Sequence, residues 1–252
     1  MVAESTDARI DGLTRRIDLA SDDGDTAALE SLDVECAVLL GSCGPPDALL
    51  HYLRSNIQDG LQSALNPRDW AWRQPHRERQ ILYLRQARTV PSFDELSPSR
   101  RAQILTNLAN QMSTLGRPIE ALRLYEFVLT TNPRFGMALV NRGVARLTFA
   151  QMVHDARHRV VLAAYACRDF ERVVDPDLEW ESAPENIITL VNAKASKIRS
   201  DVDVDMVLAQ TKMDGWPLGK GHAKAYRLRI LTRRPFLNSC LLYSSDAPSE
   251  HV

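Results

Sequence analysis

Cysteine is scarce in this chain, and its four copies, Cys36, Cys43, Cys167 and Cys240, include no C-x-x-C pair. That spacing excludes a disulfide framework and a zinc module as organising principles, and a reducing cytoplasm fits it best. No run of about 18 apolar residues occurs, and residues 1–16 are acidic and polar with no apolar segment of an export signal. Neither a membrane span nor a cleaved leader is therefore expected. Charge of one sign is also lacking: 31 Lys and Arg stand against 32 Asp and Glu, a net charge of −1. The total offers no drive toward nucleic acid or an anionic membrane. β-branched residues are not gathered into alternating runs separated by hairpin dipeptides, which argues against a sheet.

What is present reads as an all-α chain. Its 252 residues with 44% hydrophobic content can supply a core. Charge is unevenly spread, since residues 1–47 hold eleven acids and three bases, a net −8 that leaves the remainder at +7. Residues 1–25 are expected to form an acidic, unstructured N-terminus. Amphipathic periodicity predicts helices over 26–40 and 47–61, separated by the breaker cluster Gly41-Ser42-Cys43-Gly44-Pro45-Pro46. A third, over 77–88, follows Asn66-Pro67 and the aromatic pair Trp70 and Trp72, and must end before Pro91. Ser97-Pro98 supplies a capping hydroxyl and a first-turn proline for the next helix, whose stripe is Ile104, Leu105, Leu108, Met112 and Leu115. Gly116 ends it. Pro118 opens a helix with a buried face of Ile119, Leu122, Leu124, Tyr125, Val128 and Leu129, stopped at Asn132-Pro133. Further helices are predicted over 135–158, 160–174 and 185–198, and the pattern weakens beyond Asp201.

An internal period accompanies these helices. Leu105-x-x-Leu108-Ala109-x-x-Met112, then Ala121-x-x-x-Tyr125 and Pro133, keep the spacing of a repeat about 34 residues long. This arrangement resembles the tetratricopeptide (TPR) family, with Ala109 and Ala121 small where helix backbones meet and Leu105, Met112 and Tyr125 large where the groove between helices must be filled. A shift of one repeat maps Leu105 to Leu139 and Ala109 to Gly143. The second repeat is extended, because Asp175-Pro176 rather than Cys167 matches Asn132-Pro133, and its first helix is expected to run long, through Phe149, Met152 and Val153. The resemblance implies TPR-like antiparallel hairpins in a short α-solenoid over 26–200, with the best repeat at 102–135 and the extended one at 136–176. The wording of 104–110, Gly116-Arg117 and 132–139 also resembles prokaryotic proteins that join a TPR-like half to a C-terminal HEPN domain. On that resemblance, 201–239 is a linker or the start of a truncated HEPN-like domain, with Tyr226-Arg227 and 235–238 matching its opening. HEPN nucleases carry Arg four to six residues before His, and none of the six histidines here has an Arg so placed. Residues 240–247 resemble the conceptual translation of a transposon adapter, with Ser244 in place of threonine, so 240–252 is expected to be an artificial tail on a fragment.

Several motifs carry possible chemistry. His154-Asp155-Ala156-Arg157-His158 would set two imidazoles one helical turn apart, as in zinc proteases, but no third ligand is evident and a solvated helix face is the preferred reading. Asp201-x-Asp203-x-Asp205 opens like an EF-hand loop, yet Met206 and Lys212 occupy the places that need Gly and Glu, so a polar turn or helix start is expected. Gly215-x-x-x-Gly219-Lys220-Gly221 is one residue short of a phosphate-binding loop and lacks its Ser or Thr. The basic stretch 220–234, with Lys220, Lys224, Arg227, Arg229, Arg233 and Arg234, could make weak contact with RNA phosphates. Trp70, Trp72, Arg73, Arg77 and Arg79 mix aromatics with cations, though packing at a helix junction explains them better. No cofactor is implied. The expected function is a protein–protein interaction scaffold and not a complete enzyme. A peptide or helix would lie on the concave face, contacted by Asn107, Asn110, Gln111, Asn141, Arg142 and Arg146, where Asn bridges backbone and Arg grips a carboxylate. The alternative is the regulatory half of a HEPN-type ribonuclease.

Overall fold

A computed structural model describes residues 6–42, 47–65, 74–180 and 185–214. Apart from an isolated bridge between Phe135 and Glu179, its regular elements are helical. They are α1 (Thr6–Asp22), α2 (Thr26–Ser42), α3 (Ala48–Leu65), α4 (Pro75–Thr89), a 3-10 turn (Pro91–Phe93), α5 (Pro98–Thr114), α6 (Pro118–Thr131), α7 (Gly136–Met152), α8 (Ala156–Arg172), α9 (Glu185–Asp201) and α10 (Val204–Asp214). The all-α expectation therefore holds for the described residues. None of their helices is long and apolar enough to cross a membrane. The chain divides into two compact units, residues 1–111 and 112–252, and the division falls within α5.

In the first unit the N-terminus departs from the unstructured segment expected over residues 1–25. It forms α1, whose Ile10, Leu13, Ile17 and Ala20 recur at helical spacing and are buried against Leu29, Leu32, Cys36 and Leu39 of α2 and Leu50, Leu53, Ile57 and Leu61 of α3. The acidity that suggested disorder is the solvated face of this helix, where Asp11 and Asp18 are exposed. Side-chain carboxylates set the helix starts: Asp25 accepts the Ala28 amide at 3.0 Å, and Asp47 accepts those of Leu49 and Leu50 at 2.6 and 3.1 Å. α3 and α4 meet through a polar seam as well as an apolar one. Gln80 donates to Asp59 at 3.0 Å, His76 lies 2.9 Å from Gln58, and Arg54 bridges Asp33 and Tyr83 at 2.7 and 2.6 Å. Val90 is extended ahead of Pro91, as the proline requires, and Ser97 caps α5 by accepting the Arg100 amide at 3.2 Å.

The second unit begins with the α5–α6 turn. Gly116 sits at φ 71°, the left-handed conformation open to glycine, and lets Arg117 N–H reach the Met112 carbonyl at 2.9 Å. Short connections then fold α6 onto α7 and α7 onto α8, while α9 and α10 both pack on α8. The helix predicted over 135–158 is interrupted. α7 ends at Met152, Val153 is extended, and Asp155 accepts the amides of Arg157 and His158 at 2.7 and 3.2 Å to start α8. An aspartate able to cap a new helix competes with continuation of the old one. The extension of this hairpin is accordingly shared by two helices of 17 residues each, not concentrated in the first. Downstream, α10 occupies the weakly patterned segment, with Asp203 accepting the Met206 amide at 3.0 Å as its cap.

Gly143 permits the close approach of α7 to α8. A Cβ there would lie 2.8 and 2.9 Å from Cδ1 and Cζ of the fully buried Phe170 ring. Gly143→Ala gains about 1 kcal/mol of helix propensity but incurs an overpacking cost of about 1–3 kcal/mol. We expect a net loss of roughly 1 kcal/mol in urea unfolding, relieved in part by Phe170→Leu. A second expectation concerns pH. Burial, with help from Arg54, lowers the His51 pKa below 6.5, and burial with Arg79 lowers that of His76. Between those lowered values and 6.5 the unfolded chain binds more protons, so stability is full above 6.5 and declines as pH falls below it. The denaturation midpoint should fall through this window less steeply in a His51→Gln/His76→Gln variant.

Candidate functional site

Of the six residues proposed for partner contact, Asn107, Asn110 and Gln111 lie in the first unit and Asn141, Arg142 and Arg146 in the second. In the first unit, Asn107 donates to the Tyr52 hydroxyl at 3.2 Å and Gln111 accepts from the buried Arg77 at 3.3 Å, so both are engaged within the chain. Asn110 and, in the second unit, Asn141 are half-buried. Arg142 and Arg146 both turn to one carboxylate on α8. Arg142 makes a bidentate pair with Asp169, Nε to Oδ2 at 3.0 Å and Nη2 to Oδ1 at 2.6 Å. Arg146 Nη1 donates to the other side of Oδ2 and to the Tyr165 carbonyl at 3.2 Å. Asp169 is 3% exposed in its side chain, and thus the acid that Arg142 was expected to grip on a partner is supplied from inside the protein.

Arg146 leads to a different surface. With Phe149 of α7 and Val153 just after it, it lines a groove of about 500 Å³, walled by Ile119, Leu122, Arg123 and Glu126 of α6 and by His158, Leu162 and Tyr165 of α8. It alone of the six candidates lies there. The α6 wall follows from sequence spacing, because positions 119, 122, 123 and 126 share one helical face, while Ala121, Tyr125 and Val128 occupy the packed face. Ile119, assigned by periodicity to the buried side, is instead 49% exposed, and Leu122 is half-buried. The missed signal is a second apolar pair, Ile119 and Leu122, interleaved with Arg123 and Glu126.

The groove is chiefly apolar with charged groups at its floor and rim, the usual make-up of a ligand or partner pocket. Burial lowers the pKa of Arg146, against the opposing pull of Asp169, and its guanidinium stacks 5.2 Å from the Tyr165 ring centroid. Nucleophilic chemistry finds no support in the buried thiols, because burial pushes both Cys36 and Cys167 up to about 12, where they stay protonated at neutral pH. The His154–His158 pair spans the junction between α7 and α8 with Asp155 committed as a cap, so the two-imidazole helix face is not formed. In the acidic motif Asp203 is a cap and Asp205 pairs with Arg199 at 2.9 Å. No group of three or more metal-ligating side chains occurs among the described residues. Trp70, Trp72, Arg73, the 215–221 loop, the basic stretch 220–234 and the tail 240–252 lie outside the described residues.

Removing the shared carboxylate leaves two guanidiniums facing each other in a dry interior. Asp169→Ala is expected to cost about 3–5 kcal/mol, measured as a fall in the urea midpoint and greater than the loss from Arg142→Met. No protein-family model, curated protein or solved structure matches this chain.

Proposed function

We propose that this chain is a protein–protein interaction scaffold whose α6–α7–α8 groove receives a peptide or helix from a partner, and that residues 102–176 are two TPR-like hairpins of a short α-solenoid. Ala109, Ala121 and Gly143 are buried, as are Leu105, Met112 and Tyr125, which suits the roles the repeat spacing allots to them. The observation that carries the binding reading is an apolar groove left open between α6 and α8, which each pack on α7, with the half-exposed Ile119 on its wall. A folded protein that leaves such apolar surface in contact with water uses it for recognition in many cases. The helix-borne asparagines are committed inside the chain or half-buried, so side-chain packing in the groove replaces backbone bridging on a concave face as the preferred contact. The ribonuclease-linked alternative depends on residues after Asp214, outside the described residues, and gains nothing from the groove.

Ile119→Asp tests this reading at a position whose exposure spares the fold. It should weaken association with the partner purified through the wild-type chain by at least about tenfold, with an unchanged unfolding midpoint. Undiminished association in that variant would overturn the placement.

A further inference from the structure

The floor of the groove carries one more positive charge than the interior neutralises. Arg142 and Arg146 share the single carboxylate of Asp169, and the side chains of all three are at least 88% buried, at 12, 11 and 3% exposure. Arg146 spends Nη1 on Asp169 and the Tyr165 carbonyl. Its Nη2 makes no hydrogen bond among the described residues, and the second acid beside the guanidinium, Glu126, lies 3.9 Å from it, beyond bonding distance. Glu126 is 58% exposed and lines the same groove, so it faces the cation from the water side without being fixed to it. Arg123 and the imidazole of His158 also line the groove, where Glu126 is the sole acid among the described residues.

The apolar walls also restrict what can enter. The side chains of Leu122, Phe149, Val153 and Leu162 offer no donor or acceptor, and among the described residues the lining has no Asn, Gln, Ser or Thr to pair with an extended peptide backbone. A helix, about 10–12 Å across, would lie over a cleft of 500 Å³ and enter it only with its side chains, whereas a slender apolar body fits inside it whole. Pockets of this size typically hold small ligands oriented by a few polar contacts.

We propose that the groove binds a small amphipathic carboxylic acid, whose hydrocarbon chain lies between α6, α7 and α8 and whose carboxylate takes the place of Glu126 opposite Arg146 Nη2. This rests on the groove being a binding surface, and it adds a ligand that would compete with a protein partner there. The carboxylate supplies the acceptor that Nη2 lacks and balances the surplus charge, while a cationic amphiphile of equal length meets Arg123 and Arg146 and is repelled.

Calorimetric titration of the full chain with decanoate, decan-1-ol and decyltrimethylammonium, all below their aggregation limits, tests the assignment. Decanoate should bind about tenfold more tightly than the alcohol, and the ammonium should not bind. Glu126→Gln, an exposed change that removes the resident acid, should tighten decanoate by about threefold and leave the alcohol unaffected. Leu122→Trp, which fills the groove from a half-buried position, should abolish decanoate binding. Equal affinity for acid and alcohol, no gain in Glu126→Gln, or full binding in Leu122→Trp would each overturn the proposal. If decanoate fails while partner association still depends on Ile119, only the acid assignment falls; if both fail, the groove is not a binding surface.

Discussion

The second unit depends on how closely α7 lies against α8. Gly143 removes the side chain that would collide with Phe170, and the residues flanking it on the same face, Arg142 and Arg146, both reach Asp169, the neighbour of Phe170. Steric permission and ionic attraction therefore act at one place. The glycine leaves room for the Phe170 ring against α7, and the shared carboxylate makes burial of two guanidiniums tolerable. Neither half would be favourable alone, since a buried cation without its acid is costly and a glycine in mid-helix sacrifices conformational entropy.

The groove is a consequence of that contact. α6 and α8 each pack on α7, and the face of α6 opposite its buried Ala121, Tyr125 and Val128 borders the groove together with Phe149, Val153 and part of α8. The apolar surface there cannot be covered by the same helices, whose packed faces are already used. Arg146 belongs to both worlds. Its Nη1 is part of the interior network, while its Nη2 side borders the open cleft. A structural residue thereby gives the groove its electrostatic character.

The first unit shows a different balance. Its α1–α3 core is apolar throughout, yet the α3–α4 seam buries Gln58 and Gln80. Such groups are tolerable where they pair, as Gln80 does with Asp59 and Gln58 with His76, and pairing of this kind fixes helix register more narrowly than aliphatic contact does. The lowered pKa values of His51 and His76 follow from the same burial beside arginines.

Helix punctuation was legible in the residues alone. Pro91, Ser97-Pro98, Gly116, Pro118 and Asn132 act through backbone sterics and capping, which are local and independent of the rest of the fold, so the end of α4 and the starts and stops of α5 and α6 follow from spacing. Two local signals were outweighed by neighbours. Acidic α1 is helical because its four apolar residues find a core on α2 and α3, and Asp155 divides a periodic run because capping competes with continuation. The destination of Arg142 and Arg146 was settled only by tertiary structure. Asp169 lies 27 and 23 residues away, and whether it meets them depends on the register in which two helices pack. Sequence spacing along one helix carries no information about that register, and so it cannot distinguish an arginine waiting for a partner from one already satisfied.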